Sequence, residues 1–367
     1  MMRRQGVIIA AGLGLALSLT ACGDDDNGGG GGSGGDGGGP SVGIILPDTE
    51  SSVRWESADR PALEAAFDEA GMEATIQNAE GDRERMAQIA DQMIASGVAV
   101  LAIVNLSDAS GAAIHEEAAA QGVVTLDYDR LTLGGSAEAY ISYDNVRVGE
   151  LQGEGLAGCL GDGQQNIVYL NGSPDDSNAT SFAQGAHNVL DPMTNYQVVG
   201  EQAVPGWDGG EASTIFEQLY TRNRGNVDGV LAANDTLAAS AIGVLEEDGR
   251  AGEVPVTGQD ATVQGLQNIL AGRQCMTVFK SATQEAQALA EAAIALANGD
   301  EPETTGTVED TEAGRDVPAI LLEPVSITAD NIAEEIGAVF EDGGVTYDDV
   351  CSGEYAAMCE EAGVTQP

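Results

Sequence analysis

The chain has 367 residues, and 60 acidic against 14 basic side chains give it a formal net charge of −46 at pH 7. Nucleic acid and anionic membrane surfaces both demand a cationic protein face, so this balance excludes them as binding partners. His115 and His187 are the only histidines and no cysteine has a CxxC neighbour, which argues against a zinc site; no metal and no cofactor is expected.

At the start of the chain, Arg3 and Arg4 precede an apolar run over residues 6–19 that ends in Leu19-Thr20-Ala21-Cys22. A charged start, an apolar stretch too short to span a bilayer and a small-residue cleavage site read as an export signal over 1–21. Cys22 stands where bacterial lipoprotein signals, which this segment resembles, place the cysteine that is diacylated. That likeness implies an extracytoplasmic chain tethered to the membrane through lipid alone, with a plain secretory peptide as the alternative. Residues 22–40, nearly all Gly, Asp and Ser, cannot bury apolar area and read as a flexible tether. The roughly 327 residues beyond it exceed one ordinary core, so two lobes are expected.

From Val42 onward, short β-branched runs alternate with stretches of helical period, the pattern of a parallel sheet covered on both faces. Strands are expected over 42–46, 74–77, 98–104 and 123–127, with helices over 58–70, 83–95 and 108–120 between them. A second series follows Tyr143-Asp144-Asn145: helices over 148–160, 181–190, 210–220, 237–245 and 263–271 alternate with strands over 167–170, 197–202, 229–232, 254–257 and 276–279. The fold class is therefore α/β, two doubly wound parallel-sheet lobes. A helix over 283–297 and a loop or hairpin over 298–316 precede a last apolar run at 317–322.

In an oxidising compartment the four cysteines other than Cys22 can form two disulfides. Cys351 and Cys359 are close in sequence and pair with each other, which by elimination leaves Cys159 with Cys275. Four free buried thiols are the alternative.

Doubly wound sheets bind ligands beyond the carboxyl ends of their strands. Polar residues do follow the apolar runs: Asp48, Asp129-Arg130, Asp175 to Asn178, Asn234-Asp235 and Gln259-Asp260. Each also has a plainer role as the N-cap of the next helix, but their agreement on one rim favours ligand binding. Lys280 is the only lysine in the chain, and the two tryptophans, Trp55 and Trp207, lie among polar positions rather than inside apolar runs. Carboxylates, amides and guanidiniums beside an aromatic ring match a monosaccharide, whose hydroxyls donate and accept and whose C–H face is apolar.

The segments Ser51 to Trp55, Tyr128-Asp129-Arg130-Leu131, Tyr143-Asp144-Asn145, Gly172 to Asp176 with Asn178, Gly258 to Ala261 and Thr277 to Lys280 resemble the xylose-binding and multiple-sugar-binding proteins of the type I periplasmic-binding family. The resemblance implies a monosaccharide, xylose first and arabinose, glucose or galactose next, held by Arg54, Trp55, Asp129, Arg130, Asp176, Asn178, Trp207, Asp235, Asp260 and Lys280. Ser177 stands where the family usually has an amide, which leaves the hydrogen bonding around Asp176 open. Three chain crossings are implied near 145–148, 279–282 and 316–322. They place one sugar-binding lobe at 41–146 with 282–316 and the other at 147–281 with 317–367. A monomer is expected, closing over its sugar and delivering it to an ABC permease and its ATPase.

Three other functions compete. Asp175-Asp176, or Asp235 with Asp260, are paired carboxylates of the kind a glycosidase uses, but nothing in the sequence marks a catalytic acid, and no enzyme is expected. A LacI-type regulator shares the sensor fold but needs a cationic helix-turn-helix and no export signal. A sugar receptor serving chemotaxis or a two-component sensor stays open, since the partner-facing surface carries no motif.

Overall fold

The computed structural model describes residues 40–366. The export signal over 1–21, Cys22 and all of the tether up to residue 39 lie outside the described residues. Among the described residues no helix is long and apolar enough to cross a membrane.

The first lobe runs β1 (Ser41–Leu46), α1 (Arg60–Ala70), β2 (Glu73–Asn78), α2 (Arg83–Ser96), β3 (Val100–Ile103), α3 (Asp108–Ala120), β4 (Val124–Tyr128) and β5 (Ala139–Tyr143). β3 and β5 are buried at every residue and β1 and β4 at all but one, because helices cover both faces of their sheet. The second lobe follows as α4 (Asn145–Leu160), β6 (Gln165–Asn171), α5 (Ser177–Leu190), β7 (Tyr196–Ala203), α6 (Gly209–Arg222), β8 (Gly229–Ala232), α7 (Asp235–Glu247), α8 (Val263–Leu270) and β9 (Met276–Phe279). Its strands run in the order β7-β6-β8. The expected strand at 254–257 is a short bridged segment: Thr257 N–H donates to Val230 O on β8 and Cys275 N–H donates to Val256 O beside β9. α4 and α5 pack so closely that a Cβ at Gly149 or Gly185 would meet the other helix's backbone, which explains glycine at both sites.

The chain then returns to the first lobe as α9 (Ala282–Asn298) and the antiparallel hairpin β10 (Gly306–Asp310) and β11 (Arg315–Leu322). β11 pairs in parallel with β5 from Ala319 to Leu322, completing a seven-stranded sheet in the order β10-β11-β5-β4-β3-β1-β2. This corrects the lobe boundary expected at 316–317. The apolar run at 317–322 is a strand of the first sheet, and the third crossing comes after it, before β12 (Val325–Thr328), which pairs antiparallel with β9. The tail adds α10 (Ile332–Glu341), α11 (Tyr347–Val350) and α12 (Ala356–Ala362) against the second lobe. Disulfides join Cys159, at the end of α4, to Cys275, and Cys351 to Cys359 in the tail.

The crossing between β9 and α9 is pinned from both lobes. Asp342, just past α10, accepts hydrogen bonds from Ser281 Oγ (2.5 Å), Ala282 N–H (2.8 Å) and Thr283 N–H (3.0 Å), capping α9. From the first lobe, the Tyr143 hydroxyl donates to Ser281 O at 2.9 Å.

Candidate functional site

The carboxyl ends of the strands of both lobes face each other across one cleft. After β1 the chain makes a wide π turn over Trp55–Asp59 that carries Arg54 and Trp55 to the rim, with Ser51 and Ser52 just before it. Asp129 and Arg130 follow β4. From the second lobe come Asp176 and Asn178 after β6, Trp207 after β7, Asn234 after β8, Asp260 after the bridged segment and Lys280 after β9. Asp176 and Asn234 do cap their helices, accepting from Asn178 N–H and Leu237 N–H, and still line the pocket. Capping and facing a ligand are compatible, because one carboxylate or amide oxygen suffices for the cap.

Nine of the ten expected residues line a single pocket: Arg54, Trp55, Asp129, Arg130, Asp176, Asn178, Trp207, Asp260 and Lys280. Asp235 does not. Its carboxylate accepts four hydrogen bonds inside the second lobe, from Thr262 N–H (2.8 Å), Thr262 Oγ1 (3.1 Å), Gln274 Nε2 (2.7 Å) and Thr277 Oγ1 (2.9 Å). Burial outweighs those bonds and pushes its pKa up to about 7. It ties α7 to the segment that carries Asp260 instead of facing the pocket. Ser51, Ser52, Phe182, Asn234 and Gln259 also line the pocket. Asn234 and Gln259 were visible as polar rim positions, and the serines lie in the segment that carried the resemblance; nothing in the sequence marked Phe182.

The polar groups are held tightly. Arg54 forks onto Asp59 through Nε and Nη2, both at 2.7 Å, and reaches Asp129 Oδ2 with Nη1 at 3.2 Å. Lys280 Nζ approaches the same Asp129 oxygen at 3.4 Å. Burial alone would raise the Asp129 pKa, but Lys280, Arg54 and Arg130 together draw it below the ordinary aspartate value. Asp176 goes the other way, raised by burial despite its ion pair with Arg130 at 2.9 Å. The Asn178 amide donates to Asp129 Oδ1 and O, and accepts from Tyr140 and Asn145. Gln259 Oε1 is buried with no hydrogen-bond partner, acceptor capacity suited to a polyhydroxylated guest.

The aromatic rings brace this array. Trp55 Nε1–H donates to Ser51 Oγ at 3.1 Å, and the Arg54 and Arg130 guanidiniums lie 4.8 and 5.5 Å from its ring centre. Trp207 Nε1–H donates to Asp176 Oδ2 at 3.1 Å, and its ring fills the space where a Cβ on Gly172 would sit. Three pocket residues, Asp129, Trp207 and Asp260, have positive φ of 59°, 57° and 95°, a conformation unfavourable for non-glycine residues and typical of functional sites.

The free space between these side chains is about 30 Å³, room for roughly one water. Bonds between the lobes occupy the rest: Ser52 Oγ donates to Asp260 Oδ2 at 2.9 Å and Asn234 Nδ2 to Ser51 O at 3.4 Å. A guest the size of a sugar enters only if the lobes part and its hydroxyls replace these contacts. A polar hollow of about 570 Å³ adjoins the pocket through Ser51, Arg130, Asp176 and Trp207, and Arg83 bridges it to Asp175 at 2.9 Å.

Known proteins are similar to this chain in sequence and in fold. The profile of the family described as periplasmic binding protein domain matches residues 42–301. The chain is 36% identical over 286 residues to the D-xylose-binding periplasmic protein of Escherichia coli, covering 77% of this chain and 85% of that one. It is also 36% identical over 318 residues to the multiple sugar-binding periplasmic protein SbpA of Azospirillum brasilense, covering 80% and 87%. Among solved structures, an ABC transporter solute binding protein from Clostridium phytofermentans with bound β-D-glucose superposes with a TM-score of 0.77 at 27% identity, covering 84% of this chain and 99% of that one.

Proposed function

The chain belongs to the periplasmic binding protein family, and from that premise we propose that it is the substrate-binding component of an ABC sugar importer, taking an aldose by closure of its two lobes. It is a binding protein and not an enzyme, like the relatives it matches. The observation that carries the reading is the Asp129 carboxylate. It lies within 3.4 Å of Lys280 Nζ and 3.2 Å of Arg54 Nη1, on the lobe opposite Asp176 and Asp260. Such a set offers charged donors and acceptors to neighbouring hydroxyls from both sides, and charge-assisted bonds of this kind are strong enough for capture. A Kd of roughly 1 µM needs about 8 kcal/mol, within reach of a handful of them.

D-xylose is the first choice of ligand, because the relatives at 36% identity are named for D-xylose and for multiple sugars. Arabinose, glucose and galactose follow, since two solved neighbours hold glucose. A thermal-shift panel of these aldoses tests the reading: a cognate sugar at a hundredfold over its Kd stabilises the protein by about 2.7 kcal/mol. A panel in which no aldose raises the melting temperature overturns it. We further propose that Cys22 carries lipid and holds the protein outside the cytoplasm. In cells, Cys22→Ser should leave the chain unprocessed or release it; unchanged processing and membrane retention would refute the anchor.

A further inference from the structure

Behind the pocket, out of reach of the cleft, lies a group of charges that sugar binding does not itself explain. Glu285 sits in the first turn of α9, completely buried, and its Oε2 accepts from Arg54 Nη2 at 2.7 Å. Asp59, also completely buried, takes Arg54 Nε and Nη2 and accepts from the Tyr128 hydroxyl at 2.9 Å. Three of the five guanidinium N–H donors are thus spent on carboxylates that do not line the pocket, and only Nη1 turns to Asp129 and the cleft.

We propose that Glu285 is a positioning residue for the ligand site, which together with Asp59 fixes the orientation of Arg54 and does so as a neutral carboxyl. The reading rests on sugar binding for its affinity consequence and on charge for its protonation. Asp59, Asp129 and Glu285 face Arg54 and Lys280, three carboxylates against two cations, while Arg130 is paired with Asp176. The other titratable groups close enough to feel the charge of Glu285 are Tyr128, Tyr140 and Tyr143, whose hydroxyls donate to Asp59, Asp129 O and Ser281 O and bring no positive charge. A buried unpaired negative charge is costly, so one carboxyl of the three keeps its proton. Glu285 is the one with an oxygen, Oε1, buried and without any hydrogen-bond partner, a loss a neutral group bears more easily than an anion. In keeping with this, burial, with Asp129 and Asp59 adding to it, pushes the Glu285 pKa up to about 8.

The sign of the linkage follows. A carboxyl whose folded pKa is raised binds its proton more tightly in the native state, so its contribution to stability falls as pH rises from the unfolded value near 4.5 through about 8. The decisive comparison uses the parent, Glu285→Gln and Glu285→Met. Glutamine keeps an acceptor for Arg54 and cannot ionise; methionine fills the volume and holds nothing. Isothermal titration with D-xylose at pH 7 should show Glu285→Gln within about twofold of the parent and Glu285→Met weaker by about tenfold. Melting curves between pH 5 and 9 should show the parent losing ground to Glu285→Gln up to about pH 8 and none beyond. Equal binding by Glu285→Met, weak binding by a folded Glu285→Gln, or a parent-to-Gln difference that is flat with pH would each overturn the proposal. If Glu285→Met fails to fold, the Gln comparison decides alone. If the parent binds no aldose, the sugar reading fails, and the pH dependence of the melting difference still judges the protonation.

Discussion

Lys280 and Asp129 meet where the two lobes do, each less than a tenth exposed, and Asp129 is held in a left-handed backbone conformation to make the meeting. Replacing either with a neutral near-isostere, Lys280→Met or Asp129→Asn, removes a charge-assisted contact to ligand worth about 1.5–3 kcal/mol, which is roughly ten- to a hundredfold in Kd. Titration of both variants with D-xylose checks this, with circular dichroism confirming the fold. Arg222→Gln, an exposed position on α6, should bind like the parent. At this scale the sequence showed most of the pocket, because strand ends in a parallel sheet declare themselves as polar residues after apolar runs. Asp235 shows where that rule stops. It is the first helical residue after Asn234, and successive residues at a helix start diverge by about 100°, so one turns to the pocket and the other into the lobe. Phe182 escaped notice because an aromatic on a helix reads as core until the opposing lobe is in place.

Among the elements, the crossing at Ser281 is held by one side chain, Asp342 beside the second lobe, which reaches the N-terminus of the first lobe's α9. Asp342→Ala removes the cap of α9 and the bond to Ser281, and should cost about 1 kcal/mol or more in a denaturant melt. Asp342→Asn, which keeps an acceptor, should lose less; equal loss in both would show that charge and not capping holds the crossing. The Cys159–Cys275 bridge closes a separation of 116 residues within the second lobe. Its double serine variant should be less stable by about 3 kcal/mol, with sugar affinity little changed, since neither cysteine lines the pocket. The order of elements was legible from periodicity, whereas the third crossing was not. Val317 to Leu322 is an apolar run in either lobe, and only its pairing with β5 assigns it to the first sheet.

For the whole molecule, a net charge of −46 makes self-repulsion a property of the folded state, concentrated on its surface because buried carboxylates are paired or hydrogen-bonded. Salt that screens those exposed charges should raise the melting temperature; going from about 0.01 M to 1 M shortens the screening length from about 30 Å to 3 Å. A melting temperature that falls over that range would mean that buried ion pairs, not surface repulsion, govern the response. By itself the sequence determined the α/β class, the two lobes and the residue types at the strand ends, since all of these depend on local patterning along the chain. Which of those residues face one another was decided by tertiary structure alone. Ser52 meets Asp260 across 208 positions because three short crossings bring two separately packed lobes together, Arg54 meets Glu285 across 231 because the chain returns to the first lobe as α9, and Asp235 turns to partners within its own lobe.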